Sequence, residues 1–294
     1  MNILHEFEYY APNTKSEALE LVAKLGDKAK ILAGGTDLII QMKEKLLEVD
    51  NIIDISGINE LKGIQCEDGK GAVIGAMTTI EALEFSEELK NKYDALTYAA
   101  GELGSNQVRC MATIGGNCCN ASPCADTVPS LCAYGGKVVI SSKDGEKEMA
   151  VEDFILGNRK IALEAGEMIT KFVLPEPTAK SACRYGYVGL RDAMEIDLAS
   201  VAANITLAAD GETIKDAKVV MGSVYFKPLV SQMIPDLLQG KKLTEDLLVN
   251  VGKAAQDEAK PISDVRASAE YRREVIDALA RRIVKEAYEA AKEA

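Results

Sequence analysis

The first fifty-odd residues alternate short apolar runs with amphipathic segments. The runs "FEYYAP", "AKILA" and "NIIDIS" predict strands, and "DLIIQMKEKL" predicts a helix between the second and third. A longer helix is predicted after Thr14, because Thr14 and Glu17 have capping-box spacing and Gly26 stands where that helix would end. Residues 1–57 are therefore predicted to form a small β-α-β unit.

From residue 60 the pattern favours hairpins. "LKGIQCEDGKGAVIGA" and "KVVISSKDGEKEMAV" each predict two strands around a turn, the second turning at Asp144-Gly145. The spacing from Thr78 to Glu81 predicts a capped helix, "EELKNKYDALTYAAGEL" a second helical stretch, and "EMITKFVLP" a closing strand. Between them, "GSNQVRCMATIGGNCCNASPCADTVPSLCAYGG" is rich in Gly, Ser, Asn and Pro. We expect a long functional loop there.

The segment "EPTAKSA" is the best candidate for a domain boundary. Beyond it, "CRYGYVGL", "LASVAANITLAA" and "DAKVVMGSV" predict three strands, with Asp210-Gly211 at a turn, and helical segments follow to the C-terminus. The fold class is predicted to be α+β. The predicted organisation is two N-terminal subdomains, 1–57 and 58–176, and a C-terminal domain, 180–294, with a three-stranded sheet and helices.

Composition and charge exclude several classes of protein. The chain has 294 residues, 47% of them hydrophobic and 27% charged, which is an ordinary globular balance. Its net charge of −12 repels phosphate backbones, so no nucleic-acid partner is expected. No apolar run is long enough for a membrane span, and the N-terminus lacks the pattern of a signal peptide. A cytoplasmic location is the default expectation.

Cysteine and histidine usage argues against metal chemistry on this chain. The number of cysteines is odd, seven, so a disulfide framework is not expected. Cys118, Cys119, Cys124 and Cys132 follow a C-C-x4-C-x7-C spacing that matches no standard iron–sulfur motif. Small buried cysteines are the favoured interpretation, with a cluster as the alternative. The single histidine, His5, argues against a catalytic zinc site.

Two glycine pairs are the strongest chemical signal. In "ILAGGTDLI" the pair Gly34-Gly35 follows an apolar run and precedes Thr36 and Asp37. Glycine permits a close backbone approach, and converging N–H groups can bind a phosphate. A tight strand-to-helix connection capped by Thr36 or Asp37 is the alternative. "TIGGN" repeats the chemistry later in the chain. Neither pair gives a Rossmann or Walker motif, so a dinucleotide held between the two would need a different fold.

With these motifs, the chain resembles the FAD-binding subunits of the molybdenum hydroxylases. "AGGTDL", "TIGGN" and "ASPCAD" carry the resemblance, together with "LRDAMEIDLASVAANI" and "SDVRASAEYRREVIDALARR". The family includes xanthine dehydrogenase, aerobic carbon monoxide dehydrogenase and nicotinate dehydrogenase. The resemblance covers essentially the whole chain. It implies an FAD-binding PCMH-type fold, similar to vanillyl-alcohol oxidase, followed by an α+β C-terminal domain.

The resemblance also implies which residues would bind FAD. The first loop would hold the pyrophosphate, the second would lie along the ribityl and diphosphate portion, Asp126 would contact the cofactor, and Leu103 and Ile169 would border the flavin. Simple strand packing is the alternative for Ile169. Tyr187, which could stack on or border the isoalloxazine, stands where relatives often have a lysine. Arg191 or Arg109 is a candidate for the missing charge, and a surface or packing role is the alternative for either. The predicted loop residues are Leu32, Ala33, Gly34, Gly35, Thr36 and Asp37 in the first loop, and Thr113, Ile114, Gly115, Gly116 and Asn117 in the second.

By the same resemblance, the chain is expected to serve as an electron-transfer subunit. A large partner subunit would oxidise the substrate at its molybdenum cofactor, and a small partner would carry [2Fe–2S] clusters. FAD on this chain would then pass the electrons to NAD+ or another acceptor. No catalytic side chain is predicted here. A stand-alone flavin oxidoreductase and a flavin-free scaffold subunit remain the alternatives.

Overall fold

The computed structural model describes residues 4–191 and 194–294, so part of "LRDAMEIDLASVAANI" lies outside the described residues. The first sheet is parallel and has the order β1-β3-β2. Thr14 caps the first helix by accepting a hydrogen bond from the Glu17 amide, and Gly26 follows it at φ +53°. The elements are β1 (Glu8–Tyr10), α1 (Lys15–Leu25), β2 (Ala29–Leu32), α2 (Leu38–Lys43) and β3 (Asn51–Asp54), with 3₁₀ turns at Gly26–Lys28 and Asn59–Leu61.

The second sheet is antiparallel and has the order β4-β5-β10-β6-β7. Both predicted hairpins are present, and Ser142 pairs with Gly145 at the second turn. The elements are β4 (Ile64–Glu67), β5 (Gly71–Gly75), α3 (Ile80–Glu84), α4 (Glu87–Lys92), α5 (Asp94–Glu102), α6 (Asn106–Arg109), α7 (Ile114–Asn120), α8 (Thr127–Ala133), β6 (Lys137–Ser142), β7 (Gly145–Ala150), α9 (Val151–Phe154), β8 (Ile155–Gly157), β9 (Lys160–Ile161) and β10 (Met168–Leu174).

The prediction of a long loop between α5 and β6 was wrong. Three short helices, α6, α7 and α8, occupy most of that segment. Ser105 and Thr113 cap the first two by accepting from the amides of Val108 and Gly116. Some of the polar residues that suggested a loop, such as Ser105 and Thr113, are in fact the N-caps of short helices. The cap of α3 also differs from its expected position, because Thr79 caps this helix while the Thr78 hydroxyl bonds Gly63.

The C-terminal sheet has four strands where three were predicted, in the order β11-β12-β13-β14. The additional strand, β14, has only two residues and pairs with β13. No periodicity can reveal so short a strand. The elements are β11 (Ser181–Val188), β12 (Ala199–Leu207), β13 (Ile214–Gly222), β14 (Leu229–Val230), α10 (Met233–Leu238), α11 (Glu245–Glu258) and α12 (Ala269–Glu293).

Both faces of the C-terminal sheet are buried. On β12, Val201, Ala203 and Ile205 join the core formed with α11 and α12. Ala202, on the opposite face, joins the core that includes Val128 and Leu131 of α8. Because side chains alternate along a strand, one face of the C-terminal sheet packs on α8, the helix that follows the second glycine motif. Among the helices of the described chain, none combines the length and the apolarity that crossing a membrane requires.

Candidate cofactor-binding site

The first glycine motif forms a bend between β2 and α2. Gly35 has a left-handed backbone with φ +73°, which glycine adopts without strain. Within residues 4–191 and 194–294, the backbone amides of Gly34, Gly35 and Thr36 donate no hydrogen bond to another protein group. Asp37 precedes α2 but its carboxylate does not cap the helix. The bend therefore offers unpaired N–H donors, the group that binds phosphate oxygens.

The second glycine motif is a helix start rather than the loop that was predicted. Thr113 caps α7, and the amides of Ile114 and Gly115 donate to Thr78 and Ala76 at 3.0 and 2.9 Å. The Gly116 amide donates to the Thr113 hydroxyl at 3.0 Å. The amides of Ile114, Gly115 and Gly116 thus have partners within the protein, unlike those of Gly34, Gly35 and Thr36.

The structure brings the two motifs into contact. A Cβ atom on Gly34 would overlap the Met111 carbonyl and would lie 3.0 Å from the Ala112 Cα, so the bend packs directly on the residues that precede Thr113. At the other end of α7, the Asn120 amide donates to the Asp37 carboxylate at 3.0 Å. The segment from Gly34 to Asp37 therefore contacts the chain just before α7 and also the last residue of α7.

The space above Gly116 is open. A Cβ built there would meet only the Thr113 hydroxyl of its own cap, at 3.0 Å. Gly115, by contrast, packs against the Ala76 carbonyl, and Asn117 accepts a hydrogen bond from Thr127 at 2.7 Å. Gly116 is thus the glycine of this motif whose missing side chain leaves room for a ligand.

The predicted flavin-bordering residues lie around one core. Leu103 and Ile169 are both buried in the cluster that also contains Ile114 and Ala125, and Tyr187 packs against that cluster. The Tyr187 hydroxyl donates to the Glu102 carboxylate at 2.6 Å. Burial and this hydrogen bond raise the pKa of Tyr187, which is therefore neutral at physiological pH. The position thus brings no charge of its own.

Asp126 is a half-buried carboxyl beside the buried Asp197. It precedes α8, and Asp197, which is 3% exposed, lies close enough for the two charges to interact. Burial raises the pKa of both residues, and the neighbouring carboxylates, including Glu102, raise it further. Tyr185 donates to Asp197 at 3.1 Å. This end of the site therefore favours protonated carboxyls over charged ones.

Arg109 and Arg191 both have acidic partners. Arg109 pairs with Glu84 at 2.7 Å and donates to the Leu103 carbonyl at 3.2 Å. Arg191 pairs with Glu195 at 3.1 Å. Their role as a charge for the flavin stays a prediction. His5, the one histidine, lies 3.9 Å from Asp50 with both side chains more than half exposed.

The clustered cysteines are free thiols. Cys118 and Cys132 are buried, and burial raises the pKa of Cys119 to about 12. Burial also raises the pKa of Cys118, Cys124 and Cys132. Among the described residues, no three His, Cys, Asp or Glu side chains gather in a way that could hold a metal ion.

Two residues of this region were missed from the sequence. Asn120 bonds Asp37, and Arg159, at the tip of the β8–β9 hairpin, is a cation that acts electrostatically on Asp37. The string "ILGNRKI" carried only a weak signal for that hairpin, the turn-favouring Asn158, because the loop residues are Asn158 and Arg159. Asn120 had no comparable signal.

These features fit an FAD diphosphate. Unpaired amides at Gly34, Gly35 and Thr36 supply donors, and the open space at Gly116 lies on the helix that packs against them. Fold and site together define a dinucleotide-binding unit of flavoprotein type with an appended α+β domain. Its two glycine motifs are far apart in sequence, which distinguishes it from a Rossmann fold.

Comparisons with known proteins identify the family. Residues 5–177 match the FAD binding domain in molybdopterin dehydrogenase, and residues 187–287 match the CO dehydrogenase flavoprotein C-terminal domain. The chain belongs to this family of FAD-binding subunits of molybdenum hydroxylases, and it is an oxidoreductase flavoprotein subunit of that kind. The predictions of family, α+β fold and FAD are confirmed.

Similar proteins cover nearly the full length. The glyceraldehyde dehydrogenase medium chain of Sulfolobus acidocaldarius is 33% identical, over 96% of this chain and 98% of that one. The carbon monoxide dehydrogenase medium chain of Afipia carboxidovorans is 32% identical, over 97% of this chain and 98% of that one. A solved chain of reconstituted CO dehydrogenase from Oligotropha carboxidovorans superposes with a TM-score of 0.92 at 30% identity, covering 98% of this chain and 99% of that one.

Proposed function

We propose that the chain is the FAD-carrying electron-transfer subunit of a molybdenum-dependent hydroxylase complex. In that complex, electrons leave the [2Fe–2S] clusters of a small partner subunit and reach NAD+ or another acceptor. The molybdenum cofactor would reside on a large partner subunit. Two similar proteins are medium chains of dehydrogenases, a name that implies small and large partners, and this supports the assignment. A cytoplasmic location and the boundaries at 57, 176 and 180 stay predictions.

The observation that carries the proposal is the contact between the two glycine motifs. Gly34 packs on Met111 and Ala112, and Asp37 is bonded by Asn120, so one diphosphate can lie against both motifs. A bound flavin can exchange electrons singly or in pairs, which suits a position between iron–sulfur clusters and a hydride acceptor.

The residues of this chain would bind, orient and shield the cofactor. The free amides of Gly34, Gly35 and Thr36 would bind the diphosphate, and the space beside Gly116 would admit it. Leu103 and Ile169 would exclude water from the ring, and Tyr187 with Glu102 would close its far side. The complete predicted site of fifteen residues stays a prediction for this chain.

The test is flavin content after purification of the full chain. Wild-type protein should release FAD, identified by its mass and absorption spectrum. Gly116→Leu should fill the open space and lose most of the flavin, while Gly57→Leu, at a glycine with open surroundings outside the site, should retain it. Circular dichroism should show both variants folded.

Three results would contradict the proposal. Wild-type chain that stays colourless after incubation with FAD would favour a flavin-free scaffold. Substrate oxidation by the isolated flavoprotein would favour a stand-alone flavin oxidoreductase. Failure to co-purify with co-expressed iron–sulfur and molybdenum subunits would exclude the complex.

A further inference from the structure

The β8–β9 hairpin turns at Asn158 and Arg159 through a conformation that is unusual for a long side chain. Gly157 pairs with Lys160 across the turn, and Arg159 has a left-handed backbone with φ +56°. Residues other than Gly, Asn and Asp adopt this region rarely, and strain of this kind is often found at functional sites. A two-residue hairpin loop favours this backbone region, so its surroundings, rather than its backbone, indicate the role of Arg159.

Hydrogen bonds fix the turn beside the first glycine bend. The Arg159 amide donates to the Ala121 carbonyl at 3.0 Å, and Ala121 ends α7 with its own left-handed backbone at φ +48°. The preceding residue, Asn120, donates to the Asp37 carboxylate at 3.0 Å. The backbone of Arg159 is thus connected through α7 to the bend at Gly34 and Gly35.

The side chain of Arg159 is exposed, and it forms no ion pair or hydrogen bond with the described residues of the protein. The hydrogen bonds at Ala121 and Asn120 place the hairpin tip beside Asp37. Burial raises the pKa of Asp37, and the charge of Arg159 opposes that rise. A diphosphate near Asp37 would meet a carboxylate of its own sign, and a nearby cation would offset that repulsion.

We propose that Arg159 is a cofactor-binding residue whose guanidinium pairs with the diphosphate of the dinucleotide held at the Gly34-Gly35 bend. This inference rests on the proposed function. The planar guanidinium donates in a fork that matches two phosphate oxygens, and Arg159 lies exposed at the tip of the hairpin. The pairing accounts for a charged side chain at a strained position that lacks a protein partner.

The proposal is tested by binding of FAD and of ADP, which carries the diphosphate without the flavin. Apo-protein of the full chain is titrated with FAD by calorimetry, and ADP is measured by competition. Arg159→Gln should weaken both ligands by the same factor, about 10- to 100-fold. Lys160→Gln, an exposed lysine of the same hairpin, should change either affinity by less than about threefold. The salt dependence of FAD affinity should decrease in Arg159→Gln alone.

Arg159→Gly separates binding from folding. Glycine relieves the left-handed strain, so the melting temperature of the apo-protein should stay or rise by about 1–3 °C while FAD affinity falls as in Arg159→Gln. A lower melting temperature would instead indicate a structural role and overturn the inference. Unchanged FAD affinity in Arg159→Gln, or weaker FAD with unchanged ADP, would also overturn it. Wild-type chain that binds no FAD would reject the proposed function itself.

Discussion

Gly34 lies directly against the backbone of Met111, so closely that the smallest side chain at residue 34 would overlap the Met111 carbonyl. The two residues are 77 positions apart in the sequence. Gly34 follows β2 of the first sheet, and Met111 precedes α7. This contact brings the first glycine bend to the second glycine motif. A change at Gly34 therefore tests the junction itself.

Gly34→Ala should weaken both the fold and cofactor retention. The added methyl group must push the bend away from Met111, at a cost of about 2–4 kcal/mol in the free energy of unfolding. Gly57→Ala, where a Cβ meets no atom within 4 Å, is the control and should change stability by less than about 1 kcal/mol. Urea unfolding and flavin content measure the two effects. Wild-type flavin content in Gly34→Ala would show that the junction is not needed.

Tyr187→Lys should raise the midpoint potential of the flavin. The substitution places a positive charge where the neutral tyrosine now bonds Glu102, and a nearby cation favours the reduced anionic ring. We expect an increase of about 30 mV, which corresponds to about 1.4 kcal/mol for two electrons. Tyr187→Phe, which adds no charge, is the matched control. Dye-equilibration titration gives the potentials, and equal values for the two variants would place Tyr187 away from the ring.

The carboxyls of Asp126 and Asp197 predict a dependence of stability on pH. Burial raises the folded-state pKa of Asp126 and Asp197 above the ordinary value of 3.8, so the folded state binds more protons than the unfolded chain. Their contribution is fully present below about pH 4 and is lost as the pH rises toward neutrality. Asp197→Asn removes one of these groups.

The free energy of unfolding, measured in urea at pH 5 and pH 8, should therefore fall less with rising pH in Asp197→Asn than in the wild type. Asp257→Asn, at an exposed aspartate, should retain the wild-type difference. An Asp197→Asn protein with the full wild-type difference would show that this carboxyl does not titrate in that window.

Asp264→Ala should destabilise the C-terminal domain. Arg272 is 2% exposed, donates to the Leu198 carbonyl at 2.8 Å, and pairs with Asp264 at 2.9 Å. Burial raises the pKa of Asp264, but bonds from the Arg266 amide and Arg272 outweigh it and lower the pKa overall. Removing the carboxylate leaves a buried guanidinium without its counter-charge, at a cost of about 2–4 kcal/mol at pH 7.

Because the folded-state pKa of Asp264 is depressed, this loss should shrink as the pH falls below about 4. Asp257→Ala is the control and should change the free energy of unfolding by less than about 0.5 kcal/mol. Urea unfolding at pH 7 and pH 3.5 measures both variants. A loss in Asp264→Ala that is as small as the control's would mean that water replaces the carboxylate around Arg272.

The sequence was informative where local chemistry and tertiary structure agree. The cap at Thr14 is confirmed, and the second hairpin is present with its loop one residue earlier than predicted, at Lys143-Asp144, because both depend on a few neighbouring residues. The helices α6 and α7 were missed because each has only one or two turns, and tertiary contacts stabilise them. One such contact is the bridge between Thr79 and Thr113. No pattern within either segment shows that pairing.

The site shows the same limit. Both glycine pairs were found because paired glycines often stand at bends or close backbone contacts. The sequence does not indicate which pair has backbone amides without a hydrogen-bond partner. That difference depends on Thr78 and Ala76, which occupy the donors of α7 and lie far from it along the chain. Arg159 was missed for a related reason, since its proximity to Asp37 arises only through α7.

The position of the first glycine bend affects the stability of the protein without its cofactor. The N-terminal sheet has modest cores, with Ile53 in one and Ile52 in the other, whereas the second sheet belongs to a far larger cluster. A nucleotide seated at the bend would contribute a greater share of stability to the N-terminal segment than to the rest. Without the nucleotide, the segment from β1 to β3 should therefore open before the rest of the chain, and limited proteolysis should cut it first.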